Sequence, residues 1–201
     1  MPVAAERFVT GLVLAAGGSR RLGAPKQLLP YRGTTLLGHV LNTARASGFD
    51  QLIVALGGSA AEVRRAVDLT GADVVENPDY GAGCSSSIAV ALAALDPRSE
   101  LLVLMLGDQP GVSPATVAAL EAGAGPGTRL AACGYDDGRG HPLAFGRGAF
   151  AELAALHGDK AVWKLLDLHA ADVVDVRIRG SIPRDVDTRE DYEALVAGAT
   201  P

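Results

Sequence analysis

The sequence predicts an α/β fold: a three-layer α/β/α sandwich around a mostly parallel central sheet. Three observations carry this. Short runs rich in Val, Leu and Ile, without polar alternation, recur along the 201 residues, and a strand apolar on both sides is one covered by helices on each face. Between successive runs lie stretches whose apolar residues fall three and four apart, the spacing of a helix with one buried face. The resulting alternation of strand and helix specifies parallel strands joined by crossover helices.

The elements follow in order. "RFVTGLVLAA" (7–16) is a central strand that breaks into the glycine loop "GGSRRLG" (17–23). "TTLLGHVLNTARASG" (34–48) sets Leu36, Leu37, Val40, Leu41 and Ala44 on one helical face and stops at Gly48. "DQLIVALG" (50–57) is a second strand, "SAAEVRRAVDL" (59–69) a helix with Ser59 as N-cap, and "ADVVE" (72–76) a third strand. "GCSSSIAVALAALD" (83–96) is helical and "ELLVLMLGD" (100–108) is another buried strand. "VSPATVAALEAG" (112–123) is a helix capped by Ser113, with Pro114 in its first position. Beyond residue 125 the pattern is less regular: "RLAACGY" and "GHPLAF" are strands around the tip "DDGRG", followed by helices near 147–156 and 159–168, a strand "DVVDVRI" and a closing helix from Thr188. With no internal repeat and no long linker, residues 1–201 are expected to form one domain with its core at about 8–197. The first seven and last four residues are expected to be loose.

A content of 48% hydrophobic and 4% aromatic residues provides one sizeable core of Ala, Val and Leu. The formal net charge of -5 argues against nucleic acid or an anionic membrane as partner, so any phosphate binding is local. Cys84 and Cys133 form no CxxC or Cys/His pattern, which suits free thiols in a reducing cytoplasm. The longest apolar run, "LLVLML" (101–106), is far short of a membrane span. "MPVAAER" lacks the positive charge that would make the following segment a signal sequence.

Ligands of such sheets bind outside the carboxyl ends of the strands. That rule points to the turns after Ala16 and Gly107 and before Ser85. The loop after the first strand is neither GxGxxG nor a Walker loop. It still has the parts of a triphosphate cradle: glycines that let backbone N–H groups approach phosphate oxygens, and Arg20, Arg21 and Lys26 to neutralise them. An ordinary loop with surface cations has the same composition. Asp108 follows six apolar residues and emerges at the carboxyl edge, where it can meet a metal-bound phosphate or cap a turn. Asp185 and Asp187 precede a helix start at which Thr188 and Asp191 have capping-box spacing, so a structural role is equally open to them. Together the three places have one common use. A hard cation such as Mg²⁺ needs one or two carboxylates besides substrate phosphates, and phosphate displacement at a metal requires a cradle, a lysine and such acids.

Here a resemblance becomes specific. "LAAGGSRRLGAPKQLLP" (14–30) resembles the LAAGxSxR[ML]GxxKxLLP signature of the nucleotidyltransferase superfamily, whose fold is GT-A-like, the Rossmann-like fold of nucleotide-diphospho-sugar transferases. "NPDYGAGCSSSI", "GDQP", "GHPLAF", "GDKAVWKLL" and "DVDTREDY" follow in the order of the molybdenum cofactor cytidylyltransferase (MocA-like) branch of its MobA-like NTP transferase family. The likeness runs from about Gly11 to Leu195.

What the resemblance implies is an Mg²⁺-dependent attack by the terminal phosphate of molybdopterin on the α-phosphorus of CTP, with release of pyrophosphate. Leu14, Ala15, Ala16 and Gly17 would line the base and ribose and, with Gly18 and Ser19, turn the backbone around the triphosphate. Arg21 and Lys26 would bind the phosphates. Gly83 and Ser87 would lie near the base or ribose, Asp108 would be the principal metal ligand with Asp187 the second and Asp185 close by, and His141 would border the pterin side. A molybdoenzyme of the hydroxylase type would be the transient partner that receives the product. The attacking phosphate is already ionised near neutral pH, so no general base is demanded and His141 is not given a catalytic role. His39, His157 and His169 read as helix-face or surface residues.

Two positions depart from the pattern. Leu22 replaces the signature methionine, a volume-conserving exchange, and Cys84 stands where methionine often follows the YxxG turn. The guanylyltransferase branch reads LAGG where this chain has "LAAG" (14–17), so the Ala16 methyl narrows the base site and favours CTP over GTP. Another phosphorylated acceptor is a further alternative, since the acceptor side falls in the less regular half. A non-catalytic cofactor carrier has no use for Lys26, Asp108 and Asp187 together, and an NAD-binding domain would carry the missing fingerprint.

Overall fold

The structure, a computed structural model, describes residues 7–19 and 21–198; Arg20, one of the three loop cations, lies outside the described residues. The strands are β1 (Val9–Ala15), β2 (Pro30–Tyr31), β3 (Thr34–Thr35), β4 (Gln51–Leu56), β5 (Asp73–Glu76), β6 (Leu101–Leu106), β7 (Leu130–Tyr135), β8 (Gly138–Gly146) and β9 (Val173–Arg177). Seven of them form one sheet in the order β5-β4-β1-β6-β8-β7-β9, while β2 and β3 make a separate hairpin. β5, β4, β1 and β6 are mutually parallel, β8 runs antiparallel between β6 and β7, and β9 is parallel to β7. The expected mostly parallel sheet is therefore present with one reversed strand. Its reversal follows from the short tip between Tyr135 and Gly138, a connection open only to antiparallel neighbours.

The helices are α1 (Leu36–Ala46), α2 (Ala60–Ala66), α3 (Cys84–Leu92), α4 (Pro114–Gly123), α5 (Phe150–Ala154), α6 (Ala161–Leu168) and α7 (Arg189–Gly198). Alternation along β1 sends Val13 to one face and Leu12 to the other, and both are fully buried. On the Val13 face, Leu37, Val40 and Leu41 of α1, Val63 of α2, and Val117 and Leu120 of α4 pack against Val54 and Val103. On the Leu12 face, Ile88 of α3, Leu153 of α5, and Val162 and Leu165 of α6 pack against Ile53, Leu104 and Phe145. These are the three layers of the sandwich. A smaller cluster of Leu22, Tyr31, Leu36 and Val186 takes in Tyr192 and Leu195 of α7 and so fastens the last helix to the β2–β3 hairpin.

Ser113 accepts from Thr116 N at 3.1 Å with Pro114 in the first turn, as its sequence suggests. The Thr188–Asp191 box closes from both sides, Asp191 N donating to Thr188 Oγ1 (3.1 Å) and Thr188 N to Asp191 Oδ2 (2.8 Å). Ser59 makes no side-chain cap bond. The helix expected near 147–156 is reduced to a 3₁₀ turn followed by the five-residue α5. Arg7, expected to be loose, donates to the Glu121 carbonyl at 3.2 Å and to that of Ala124. The β2–β3 hairpin was not expected; Arg32 (φ 44°) and Gly33 (φ 79°) turn it with two left-handed residues. Among the described residues no helix is long and apolar enough to cross a membrane.

Candidate active site

β1 and β6 lie side by side with Leu14 opposite Leu106, so the glycine loop and the Gly107–Asp108 turn leave the sheet together. Gly107 N donates to Leu14 O at 2.9 Å, and a Cβ at Gly107 would meet Ala15 Cβ and Leu14 O at 3.0 Å. The loop is shaped from beneath by Gln27, which is almost fully buried. Its Nε2 donates to Ala15 O (2.8 Å) and Gly17 O (3.0 Å). Ser19 is left-handed (φ 49°), and its Oγ accepts from Lys26 N at 2.9 Å. These bonds dock the short 3₁₀ turn Lys26–Leu28 under the loop.

The Lys26 ammonium donates to Asp108 Oδ2 and, at 2.9 Å, to Asp187 Oδ1. Arg21 donates to the other Asp187 oxygen at 2.6 Å. Asp187 comes from the far end of the chain, and the connection is stitched at two points: Val186 N donates to Asp108 O (3.1 Å), and Gln109 Nε2 donates to Pro183 O (3.1 Å) and to the Asp185 carboxylate. Among the described residues Gln109 Oε1 is buried and has no partner. Burial acts to lower the Lys26 pKa, but Asp108 and Asp187 outweigh it and raise the ammonium above its ordinary value. Burial acts to raise Asp187, yet Lys26 and Arg21 hold its carboxyl below the usual range. Asp185 keeps a solvent-exposed edge, but desolvation of its inner side and the negative Asp108 push its carboxyl up. Among the described residues no three His, Cys, Asp or Glu side chains already surround one point. Asp108 and Asp187 do grip a single cation from two sides, and an all-oxygen pair of this kind fits a hard divalent ion completed by phosphates and water.

Next to this cluster is a cavity of about 200 Å³ whose walls include Leu14, Ala15, Ala16, Gly17, Lys26, Ser87 and Asp108. Seven of the residues singled out by sequence thus share one space. Ser87 Oγ is fixed by a bond from Asn77 Nδ2 at 2.9 Å. Gly18 lies at the rim, where a Cβ would be 3.5 Å from the Tyr80 ring. Ser19 and Arg21 are not in the wall; the first anchors Lys26 and the second reaches Asp187. Gly83 faces the turn at 158–159 instead of the cavity, because its left-handed backbone (φ 108°) brings it to where a Cβ would be 2.8 Å from Gly158 C. His141 is also outside the cavity wall. It is buried on β8 with its ring edge-on to Trp163 at 5.4 Å, and burial lowers its pKa to about 4.

Sequence reasoning passed over four residues. Besides Gln27 and Gln109, Tyr80 and Asp159 line or close the cavity. Asp159 Oδ1 accepts from Cys84 N (3.1 Å) and its carbonyl accepts the Cys84 thiol (2.8 Å), so the turn before α6 is clasped to the start of α3. The "HGDK" turn was the available signal for Asp159. Burial and the negative Asp159 raise the Cys84 thiol, which suits this clasp better than a reactive role. His169, expected as a plain helix-face residue, bridges Arg129 (3.3 Å) and Glu152 (2.8 Å). A roomier hollow of about 390 Å³, flanked by Phe8, Phe49 and Arg98, lies away from the carboxyl ends of the strands.

Residues 11–173 match the model of the MobA-like NTP transferase domain. Nicotine blue oxidoreductase of Paenarthrobacter nicotinovorans is 34% identical over 199 residues, which cover 94% of this chain and 96% of that protein. A solved homologue of Mycobacterium tuberculosis Rv0371c, from Mycobacterium sp. strain JC1, superposes with a TM-score of 0.90 at 54% identity and covers 96% of both chains. Rv0371c of Mycobacterium tuberculosis H37Rv, solved as a complex with manganese, superposes with a TM-score of 0.86 at 51% identity over 95% of this chain and 99% of that one.

Proposed function

The chain belongs to the MobA-like NTP transferase family, and from that premise we propose that it transfers CMP from CTP to the terminal phosphate of molybdopterin, releasing pyrophosphate in an Mg²⁺-dependent reaction. The observation that carries this reading is the charge cluster beside the glycine loop, where Lys26 is held between Asp108 and Asp187. Such a set suits a substrate that brings its own negative charge and a metal. The loop residues 17–19 offer backbone N–H groups to the phosphates, and Lys26 and Arg21 neutralise the charge that accumulates on departing pyrophosphate. Asp108 and Asp187 would hold the metal, which supplies Lewis-acid polarisation of phosphoryl oxygens when bound. The manganese complex of a 51% identical protein supports a divalent ion here.

The nucleophile arrives ionised, so positioning and charge stabilisation carry the rate. His141 is buried on β8 outside the cavity wall, so it is not placed to exchange a proton with the substrate. The Ala16 methyl borders the cavity, which supports the smaller base. Pyrophosphate release measured with CTP and GTP, with Mg²⁺ and with or without molybdopterin, tests this. The expected outcome is cofactor-dependent release from CTP, with Ala16→Gly moving preference toward GTP. Release from GTP alone would identify the guanylyltransferase alternative. No release from folded, nucleotide-binding protein would favour another phosphorylated acceptor or a carrier.

The likeness to nicotine blue oxidoreductase favours a second reading, redox chemistry on the same fold. Lys26, Asp108 and Asp187 have no evident task in hydride transfer. Consumption of a reduced nicotinamide dinucleotide without pyrophosphate release would establish the second reading and remove the first.

A further inference from the structure

The two carboxylates best placed for a metal already have a cation between them. Lys26 spans Asp108 and Asp187, and Arg21 takes the remaining oxygen of Asp187. The bridge is well shielded, with 14% of the Lys26 side chain and 17% of that of Asp108 exposed. Arg21 is 67% exposed and is correspondingly screened, so Lys26 is the stronger of the two counter-charges.

We infer that Lys26, assisted by Arg21, is the resident counter-cation of Asp108 and Asp187 in the nucleotide-free protein, and that a divalent metal binds the two carboxylates weakly until a nucleoside triphosphate draws these cationic side chains onto its phosphates. The inference rests on the nucleotidyl-transfer reading for its triphosphate. A metal approaching the free site meets two carboxylates already paired with Lys26 and Arg21, with Asp185 held aside by Gln109, and it is repelled by the ammonium between them. A triphosphate supplies the missing anions. Lys26 then exchanges two carboxylates for phosphate oxygens while the carboxylates exchange an ammonium for the metal, and no charge is left shielded without a partner. The long flexible stem of lysine allows that movement without movement of the sheet. Because binding couplings are reciprocal, metal and nucleotide each strengthen the other by the same factor.

This assigns Lys26 two opposing effects, which one substitution separates. In Lys26→Met, nucleotide-free protein should bind Mn²⁺ about tenfold more tightly, since two neighbouring carboxylates lose their internal cation. The same variant should bind CTP about tenfold more weakly in EDTA, where only phosphate contacts count. Free Mn²⁺ is read by electron paramagnetic resonance and CTP binding by calorimetry. Lys26→Arg keeps the charge and should retain weak metal affinity, which keeps the test open if the methionine variant folds poorly. Lys164→Met, on the exposed side of α6, controls for the loss of one positive charge and should leave Mn²⁺ affinity unchanged. Unaltered or weaker Mn²⁺ binding by folded Lys26→Met overturns the inference. Asp108→Asn reports separately on the underlying reading: if it binds Mn²⁺ like the parent protein, the metal site itself is misplaced, whatever Lys26→Met does.

Discussion

At Gln27 one buried amide sets the path of the glycine loop by donating to the carbonyls of Ala15 and Gly17. Gln27→Ala would remove both bonds and leave two acceptors to find water. We expect a loss of about 1–3 kcal/mol in stability and a rise in the KM for nucleotide that exceeds any fall in kcat. Urea unfolding and steady-state kinetics check this, and an unchanged KM would mean that the loop keeps its shape unaided. The neighbouring Lys26 was legible in the sequence because a cation a few residues beyond a glycine loop has an obvious electrostatic use. Gln27 was not, since nothing in "PKQLLP" shows that its amide turns inward to carbonyls ten and twelve residues earlier. Asp159 was hidden for the same reason, its partner Cys84 being 75 residues away.

Elements meet closely where the loops after β1 and β4 cross. A Cβ on Gly57 would lie 2.5 Å from Ala16 O and 2.8 Å from Tyr80 Cβ. Gly57→Ala should push the Ala16 backbone into the cavity, lowering stability by about 1–3 kcal/mol and weakening CTP binding; a thermal melt and a nucleotide titration would show both. If binding is untouched, the contact is packing alone. The strands themselves were legible because a run such as "LLVLML" fits only a doubly covered strand. The β2–β3 hairpin was not, for two-residue strands have no period to read and its turn places Arg32, not Asn or Gly, in a left-handed conformation. Ser113 and Thr188 announced their helices, whereas the backbone at Ser59 (φ -111°, ψ 21°) departs from the extended conformation of a side-chain N-cap.

Across the whole molecule, His141 is expected to make stability depend on pH. Its pKa is about 4 in the folded chain against 6.5 for an unperturbed histidine, because burial disfavours the charged ring. The unfolded chain therefore binds the extra proton first, and stability falls as pH drops from about 6.5 toward 4. Between pH 7.5 and pH 5.0 this amounts to roughly 2 kcal/mol. Urea unfolding at the two values should show that loss, and His141→Gln should remove most of the difference. An equal loss in the variant would assign the effect to other groups.

The aromatic partner of that histidine is Trp163, the chain's one tryptophan, and the two rings meet edge to face. Indole emission is quenched by a neighbouring imidazolium and far less by the neutral ring. The protein consequently carries a built-in fluorophore set against a buried proton site, and its brightness on acidification is expected to follow His141 without any attached dye.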